Sequence, residues 1–310
     1  MHAIEIQGLS KNYAVGFWKK KLRPALKPLD LTVEAGETFG FLGPNGAGKT
    51  TTLKLLMGIT FPTSGSARIL GQNCLNPDVK QKIGFLPEQP YFYDYLSAPE
   101  LLDYYARLSG VSADERKRRI PELLERVGLS DVDKKQLRKF SKGMLQRVGI
   151  AQAIIHDPEV VFLDEPMSGL DPLGRYEIRE LIQGLKDQGK TIFFSTHILS
   201  DAEALCDRVA VIHKGELRGV GVVNDLRSSL SEKTEVIWQG AAALPAVARL
   251  VLESHVTGET VRGVVASSSL DELLGCLRQQ HARLVSVTPL RGTLEEYFLS
   301  KTSGEEVAAQ

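Results

Sequence analysis

The residues best suited to chemistry form a glycine-rich turn in the first quarter of the chain. It reads Gly43-Pro44-Asn45-Gly46-Ala47-Gly48-Lys49-Thr50, the spacing of a phosphate-binding loop, or P-loop. Glycines let backbone N–H groups approach phosphate oxygens closely, and the start of a following helix adds a favourable dipole. Lys49 is expected to contact the β- and γ-phosphates of a nucleotide and the Thr50 hydroxyl a Mg²⁺ ion, with further nucleotide contacts reaching Thr51.

The sequence around the loop predicts the elements that would hold it. Residues 37–42 are short, apolar and typical of a strand, and residues 51–57 have helical spacing that stops at Gly58. A glycine-rich turn that merely joins two elements is the alternative. The Lys-Thr pair and both correct flanks argue against it.

A second group of chemical interest is a pair of carboxylates. Residues 160–163 are all apolar, as expected for a strand buried on both faces, and Asp164 and Glu165 follow directly. Nucleotide-hydrolysing P-loop proteins need a carboxylate for Mg²⁺ at such a strand end. Asp164 suits the metal, and Glu165 can act as a general base toward water.

Composition indicates a globular protein with more than one domain. The 310 residues are 43% hydrophobic and 25% charged. The 38 Lys and Arg balance the 38 Asp and Glu, which disfavours a nucleic-acid partner. Three scattered cysteines, the lack of a signal segment and the lack of an apolar run of about 20 residues predict a cytoplasmic protein.

The pattern of elements predicts two domains. Residues 1–222 alternate strands and helices, which favours an α/β fold with a largely parallel sheet, and residues of about 88–148 are rich in helical spacing. Residues 230–300 read as β-α-β-β-α-β, with helix 246–252 and the first hairpin strand at 256–260, which indicates a small ferredoxin-like α+β domain. We expect residues 301–310 to be a disordered tail.

Further motifs follow in an order known from one protein family. Phe140-Ser141-Lys142-Gly143-Met144, then Gln146-Arg147, resembles that family's signature motif, and Ser168-Gly169-Leu170-Asp171 resembles its D-loop. His197 resembles its switch histidine and Tyr13 its adenine-stacking aromatic residue. On these motifs, which with the P-loop cover about residues 1–220, the chain resembles the ATP-binding subunit of an ABC transporter.

The resemblance implies an ABC cassette fold with a mixed, largely parallel sheet, a helical subdomain and a composite mechanism. Two cassettes, expected to be two copies of this chain, would sandwich two ATP molecules. Each ATP would be held by one P-loop and by the other subunit's Ser141 and Gly143, with Asp171 at the seam. Glu165 would be the base, and His197 would contact the γ-phosphate.

Two departures from the family pattern are present. The signature usually begins Leu-Ser-Gly-Gly, and here Phe140 and Lys142 replace its first and third residues. The loop that usually supplies a glutamine to Mg²⁺ has Glu88 at that position by ungapped alignment, and Gln89 follows it. Either side chain offers an oxygen ligand, and the choice stays open.

These variants and the small C-terminal domain resemble the subgroup that works with ABC-2-type permeases, mostly exporters. The resemblance implies a separate membrane permease that holds the chain at the inner face of the membrane. An aromatic cluster at Tyr91, Phe92, Tyr93 and Tyr95 is a candidate contact for it, although half of these rings would pack internally.

Rival interpretations remain. A non-transport ABC ATPase of translation or DNA repair would usually have two cassettes, a long coiled coil or a basic surface, and a P-loop kinase or GTPase would not explain Ser141, Gly143 and Asp171. The C-terminal domain is either structural or a regulatory ligand-binding module. Residues 17–23, basic and aromatic, are either a solvated hairpin loop or a small contact surface for a membrane partner or lipid.

Overall fold

The computed structural model describes residues 1–16, 21–132, 134–229, 233–240, 245–290 and 293–302, and the chain divides into two compact units, Met1–Gly221 and Val222–Gln310. The strands up to this division are β1 (His2–Val15), β2 (Lys21–Glu34), β3 (Thr38–Leu42), β4 (Ser64–Ile69), β5 (Gln72–Asn73), β6 (Ile83–Leu86), β7 (Val160–Asp164), β8 (Thr191–Thr196), β9 (Arg208–His213) and β10 (Glu216–Val222). The helices are α1 (Lys49–Leu56), α2 (Ala98–Leu108), α3 (Ala113–Arg126), α4 (Lys142–Ile154), α5 (Pro172–Lys186) and α6 (Leu199–Leu205).

A six-stranded sheet in the order β10-β9-β3-β8-β7-β6 forms the centre of the first unit. Strands β9, β3, β8, β7 and β6 pair in parallel. Every residue of β3, β7 and β8 is buried, as expected for strands covered on both faces. Because parallel strands end at the same edge, the segments that follow β3, β7 and β8 meet there.

A second sheet is antiparallel, in the order β2-β1-β4-β5. Strands β1 and β2 form a long hairpin in which Tyr13 pairs with Arg23. The predicted basic, aromatic stretch falls partly here, since Lys21 to Arg23 begin β2. Residues 17–20 lie outside the described part of the chain.

The core of the first unit has two parts, one on each face of the central sheet. Phe39, Phe162 and Phe193 pack together on the face toward β1, β2 and α1, with ring centroids 5.6 and 5.8 Å from that of Phe193. Their neighbours Val161 and Phe194 point to the other face, against α2 to α5. Successive side chains of each strand thus point to opposite faces of the sheet, so the same strands contribute to both parts of the core.

The helices on the second face have clear sequence starts. Ser97 is the N-cap of α2 and Ser112 is the N-cap of α3, each in a capping box with a glutamate three residues later. Ser141 caps α4 and Asp171 caps α5. Ser141 and Asp171, which the sequence predicts to be site residues, are therefore also helix N-caps.

The second unit contains α7 (Val223–Ser229), β11 (Lys233–Gln239), α8 (Pro245–Leu250), β12 (Val251–Thr257), β13 (Thr260–Ala266), α9 (Leu270–Gln279), β14 (Arg283–Leu290) and α10 (Leu294–Thr302). Strands β11 to β14 form an antiparallel sheet in the order β12-β13-β11-β14, the arrangement of a split βαβ unit. Trp238, Val236 and Leu273 lie in its core. The predicted tail falls on residues 303–310, outside the described part of the chain.

Two predicted boundaries in this unit are wrong. The sequence predicts helix through residue 252 and the first hairpin strand at 256–260. In the structure α8 ends at Leu250, β12 spans Val251–Thr257, and Thr260 already belongs to β13. Val251 pairs with Val265 of β13. Pairing with a neighbouring strand overrides helical spacing at this position.

Of the helices that the structure describes, none is long and apolar enough to cross a membrane.

Candidate nucleotide-binding and catalytic site

The P-loop joins β3 to α1 as a tight backbone cradle. Gly48 caps α1 with φ of 111°, and a Cβ there would lie 2.8 Å from the Ala25 carbonyl oxygen. A Cβ on Gly43 would lie 2.3 Å from the Ile212 carbonyl oxygen. Only glycine fits both positions, and the resulting turn leaves backbone N–H groups at the helix start for an anion.

A cavity of about 220 Å³ opens over this turn. The P-loop residues that line it are Asn45, Gly46, Gly48, Lys49, Thr50 and Thr51. Pro44 and Ala47 shape the loop through a hydrogen bond of 3.1 Å from the Ala47 N–H to the Pro44 carbonyl. Six of the nine predicted phosphate-binding residues thus line one cavity, and Gly43, Pro44 and Ala47 do not.

Lys49 is buried, and its ammonium group is fully engaged within the loop. Nζ donates to the Gly43 carbonyl at 2.6 Å and to the Pro44 carbonyl at 3.3 Å. It also lies 3.0 Å from Glu165 Oε1. A phosphate entering the cavity would compete with these partners for the ammonium group.

The two carboxylates follow β7 and have different surroundings. Ser195 Oγ of β8 donates to Asp164 Oδ1 at 2.5 Å, and Thr50 also hydrogen-bonds to Asp164. Burial raises the pKa of Asp164 and the charge of Glu165 adds to this, while the Ser195 and Thr50 hydrogen bonds and Lys49 oppose it. Asp164 is therefore held against the P-loop threonine, where a metal ligand is needed.

Glu165 is buried at 5% exposure and has a φ of 49°, a rare conformation for a residue with a Cβ. The Glu165 N–H donates to two acceptors on Ser195, the backbone carbonyl at 3.1 Å and Oγ at 3.2 Å. Strained backbone of this kind costs about 1–3 kcal/mol and concentrates at functional sites. Here it directs the Glu165 side chain toward Lys49 and His197.

His197 follows β8 and contacts the same carboxylate. Its Nδ1 lies 2.8 Å from Glu165 Oε2, and its side chain is 40% exposed. Glu165 therefore joins Lys49 on one oxygen and His197 on the other. The three residues predicted to be catalytic form one connected group.

The residues present fit Mg²⁺ bound together with a nucleotide. Thr50 and Asp164 supply hard oxygen ligands that already contact each other, and Glu88 lines the same cavity. Gln89 is not among the lining residues. This placement favours Glu88 over Gln89 for the position left open by the sequence.

The remaining predicted site residues lie apart from this cavity. Ser141 Oγ accepts from the Met144 N–H at 3.3 Å, and Asp171 Oδ1 accepts from the Gly174 N–H at 3.0 Å. Tyr13 is 38% exposed on β1, and the Lys11 ammonium lies 5.1 Å from its ring centroid. None of these, nor Gly143, lines the cavity at the P-loop.

Two residues of the site carry no clear signal in the sequence. Ser195 bonds to the Asp164 carboxylate and to the Glu165 backbone N–H, yet it reads as an ordinary strand residue. Asp201 is 1% exposed in α6, with Oδ1 3.4 Å from Arg179 Nη1, and it interacts electrostatically with Glu165 and His197. Burial raises the pKa of Asp201, and Arg175 and Arg179 oppose this. A carboxyl group in the first turn of a predicted helix gives no hint of such burial.

Comparison with known proteins agrees with this geometry. The family model described as ABC transporter matches residues 26–168. An ABC transporter ATP-binding protein of Synechocystis sp. is 48% identical over 303 residues, covering 96% of this chain and 84% of that protein. The bacitracin transport ATP-binding protein BcrA of Bacillus licheniformis is 47% identical over 192 residues, covering 61% of this chain and 62% of that protein.

Solved structures give the same fold. An ATP-binding subunit of an ABC transporter is 33% identical with a TM-score of 0.64, covering 73% of this chain and 92% of that one. A dimeric ATP-binding cassette in a post-hydrolysis state, bound to ADP and Pi, is 26% identical with a TM-score of 0.64, covering 71% and 98%. On its relatives, its cassette fold and the group formed by Lys49, Asp164, Glu165 and His197, the chain belongs to the ABC transporter family as an ATP-binding subunit that hydrolyses ATP.

Proposed function

We propose that two copies of this chain close around two ATP molecules and drive export through a separate ABC-2-type permease at the inner face of the membrane. The observation that supports a dimer is the free space around Gly143 in the signature motif. A Cβ on Gly143 would meet only Leu170 Cδ2, at 3.8 Å, so packing within the chain does not require glycine there. A close approach by a phosphate held on another subunit would explain it.

Ser141 supports the same arrangement. It is exposed, at the N-terminus of the 13-residue helix α4, where backbone N–H groups and the helix dipole favour an anion. The dimeric cassette with ADP and Pi is a solved relative in which two such subunits meet. Ser141 and Gly143 would then complete a partner's site across the seam, near Asp171.

Within each site, ATP binding changes the partners of Lys49. Its ammonium moves from the Gly43 carbonyl and Glu165 toward the β- and γ-phosphates, which leaves Glu165 Oε1 able to accept a proton from the attacking water. His197 keeps Glu165 oriented through Oε2 and contacts the γ-phosphate. A Mg²⁺ ion bound by Thr50, Asp164 and Glu88 would neutralise phosphate charge.

A permease contact is supported by exposed tyrosines after β6. Tyr91, Tyr93 and Tyr95 are 93%, 45% and 60% exposed, whereas Phe92 packs against the core. Aromatic side chains are enriched in protein interfaces. Export as the direction rests on the resemblance to the subgroup that works with ABC-2-type permeases, and the relative BcrA is named for bacitracin transport.

The decisive experiment follows ATP hydrolysis against protein concentration for wild type and Glu165→Gln, with dimerisation measured by light scattering. We expect activity to rise faster than linearly and the variant, unable to take the water's proton, to accumulate as an ATP-bound dimer. Linear activity together with a monomeric Glu165→Gln at saturating ATP would refute the two-chain site.

Tyr91→Ala and Tyr93→Ala should loosen membrane association and leave ATP binding unchanged.

A further inference from the structure

A second cavity, of about 340 Å³, lies at the opposite end of the strands that carry the catalytic groups. Asp157 and Lys190 line it, and they precede β7 and β8. Asp164 and Thr196 end these two parallel strands on the nucleotide side. At about 3.3 Å per residue, the five residues of β7 span about 16 Å, so the two cavities are distinct.

The lining of this cavity has more cations than carboxylates. Its charged side chains are Arg118, Arg119, Arg126, Lys190, Glu122 and Asp157, and with Glu115, which pairs with Arg119, the local net charge is +1. Three of the cations have a carboxylate partner. Arg118 pairs with Glu122 at 3.2 Å, Arg119 with Glu115 at 3.0 Å, and Lys190 with Asp157.

Arg126 differs from the other three. Its Nη1 donates to Gln188 Oε1 at 2.9 Å, while its Nη2 is buried with no acceptor among the residues that the structure describes. No carboxylate in the described ranges lies within ion-pair distance of it. Burial lowers the pKa of Arg126, as expected for a cation that loses water without gaining a counter-ion.

The chain also leaves room for this guanidinium group. A Cβ on Gly184 of α5 would lie 3.3 Å from Arg126 Nη2, closer than side chains normally pack. A buried donor without an acceptor costs roughly as much as a lost hydrogen bond to a charged group. Arg126 also lines the cavity, so an anion there would supply the counter-charge that this cation lacks.

We propose that this cavity binds a small phosphate-bearing anion, with Arg126 as its principal ligand and Arg119 and Lys190 on its walls. The planar guanidinium group can donate two parallel hydrogen bonds to a phosphate, and the one cation without a carboxylate partner favours an anion. The volume is at the lower end of the range for small-molecule sites. Because α3 carries Arg126 and α5 leads to Gln188, the anion would join these two helices.

The test measures anion binding with the P-loop disabled, since phosphates also bind there. In full-length Lys49→Ala protein, calorimetric titration with inorganic phosphate, pyrophosphate and AMP at constant ionic strength should detect a site. Adding Arg126→Gln should weaken binding about tenfold or more, the loss expected for a hydrogen bond to a charged group, while Arg126→Lys should restore part of it.

Arg138→Gln is the matched control, because Arg138 is exposed and, like Arg126, donates to a glutamine. It should leave binding unchanged. Equal losses in Arg138→Gln and Arg126→Gln would show diffuse attraction and overturn the proposal, as would no binding to Lys49→Ala at millimolar ligand. Binding of AMP without inorganic phosphate would assign the site to phosphate esters, and the reverse to free phosphate. Thermal unfolding checks that each variant is folded. Neither outcome at this cavity bears on ATP binding at the P-loop of the wild-type protein.

Discussion

At the scale of residues, one serine joins the Asp164 carboxylate to the backbone of Glu165. Ser195 is fully buried, donates to Asp164 and accepts from the Glu165 N–H. These two bonds fix the Asp164 side chain and the Glu165 backbone relative to each other. The hydroxyl would therefore couple the proposed metal ligand to the proposed base.

Replacing Ser195 with alanine should remove both bonds. We expect the free energy of unfolding to fall by about 1–3 kcal/mol and the Mg²⁺ concentration for half-maximal ATPase activity to rise severalfold. Urea unfolding and Mg²⁺ titrations measure the two effects. Ser10→Ala is the control, because the Ser10 hydroxyl hydrogen-bonds to the Ser64 hydroxyl outside the site, at 2.8 Å. It should affect stability alone, and an equal Mg²⁺ shift would contradict the assignment.

The buried Asp164 predicts a pH dependence of stability. Its pKa in the folded chain is above the ordinary value of 3.8, so the folded state binds the proton more tightly than the unfolded state. Stability from this group is therefore lost as pH rises from 3.8 through the folded pKa, and the penalty persists at neutral pH.

Asp164→Asn removes that charge and keeps one acceptor oxygen. We expect the variant without nucleotide to be as stable as wild type or more stable at pH 7, with the advantage vanishing below the ordinary pKa of 3.8, and ATPase activity to be lost. Unfolding curves from acid to neutral pH measure this. Asp171→Asn, an exposed helix cap, should show no such pH-dependent difference.

At the scale of elements, the predicted seam residues have a second role as helix caps. Ser141 begins α4 and Asp171 begins α5. A substitution at either position changes helix stability as well as any contact with a partner's ATP. Paired substitutions are needed to separate these effects.

Ser141→Ala removes the cap and the hydroxyl, whereas Ser141→Asp keeps a cap and introduces negative charge. We expect Ser141→Ala to cost about 1 kcal/mol of stability, and Ser141→Asp to keep stability but lose ATPase activity at least tenfold through repulsion of the γ-phosphate. Thermal unfolding and ATPase assays at equal protein concentration test both. Wild-type activity in Ser141→Asp would show that position 141 faces no phosphate.

At the scale of the whole molecule, each unit has a hydrophobic core of its own. The first has the two core regions on either face of the central sheet, and the second has a smaller cluster around Trp238. Every residue proposed here to bind ATP or Mg²⁺ belongs to the first unit. The second unit is thus open to either a structural or a regulatory role.

A chain of residues 1–222 should therefore fold cooperatively and bind ATP with unchanged affinity. Circular dichroism during heating and nucleotide titration measure this. Failure to unfold in a cooperative transition would mean that the second unit is needed for folding. If hydrolysis and its response to the permease are also unchanged, the regulatory interpretation of the second unit is contradicted.

The sequence by itself determined the parts whose physics is local. The P-loop and the apolar strand before Asp164 each depend on a few consecutive residues, because glycine conformation and strand burial are set locally. The family, the fold class and the ATPase activity followed from the order of these motifs. The boundary between α8 and β12 did not, since strand pairing with β13 decides it.

The tertiary structure decided what depends on distant segments meeting. The hydrogen bonds of Ser195 to Asp164 and Glu165 join residues about 30 positions apart, and the burial of Asp201 depends on packing around α6. Arg126 and Gly184 lie in helices that the sequence does not connect. Residue types predict which groups can react, and only the packed sheet and helices decide which of them lie within contact distance of one another.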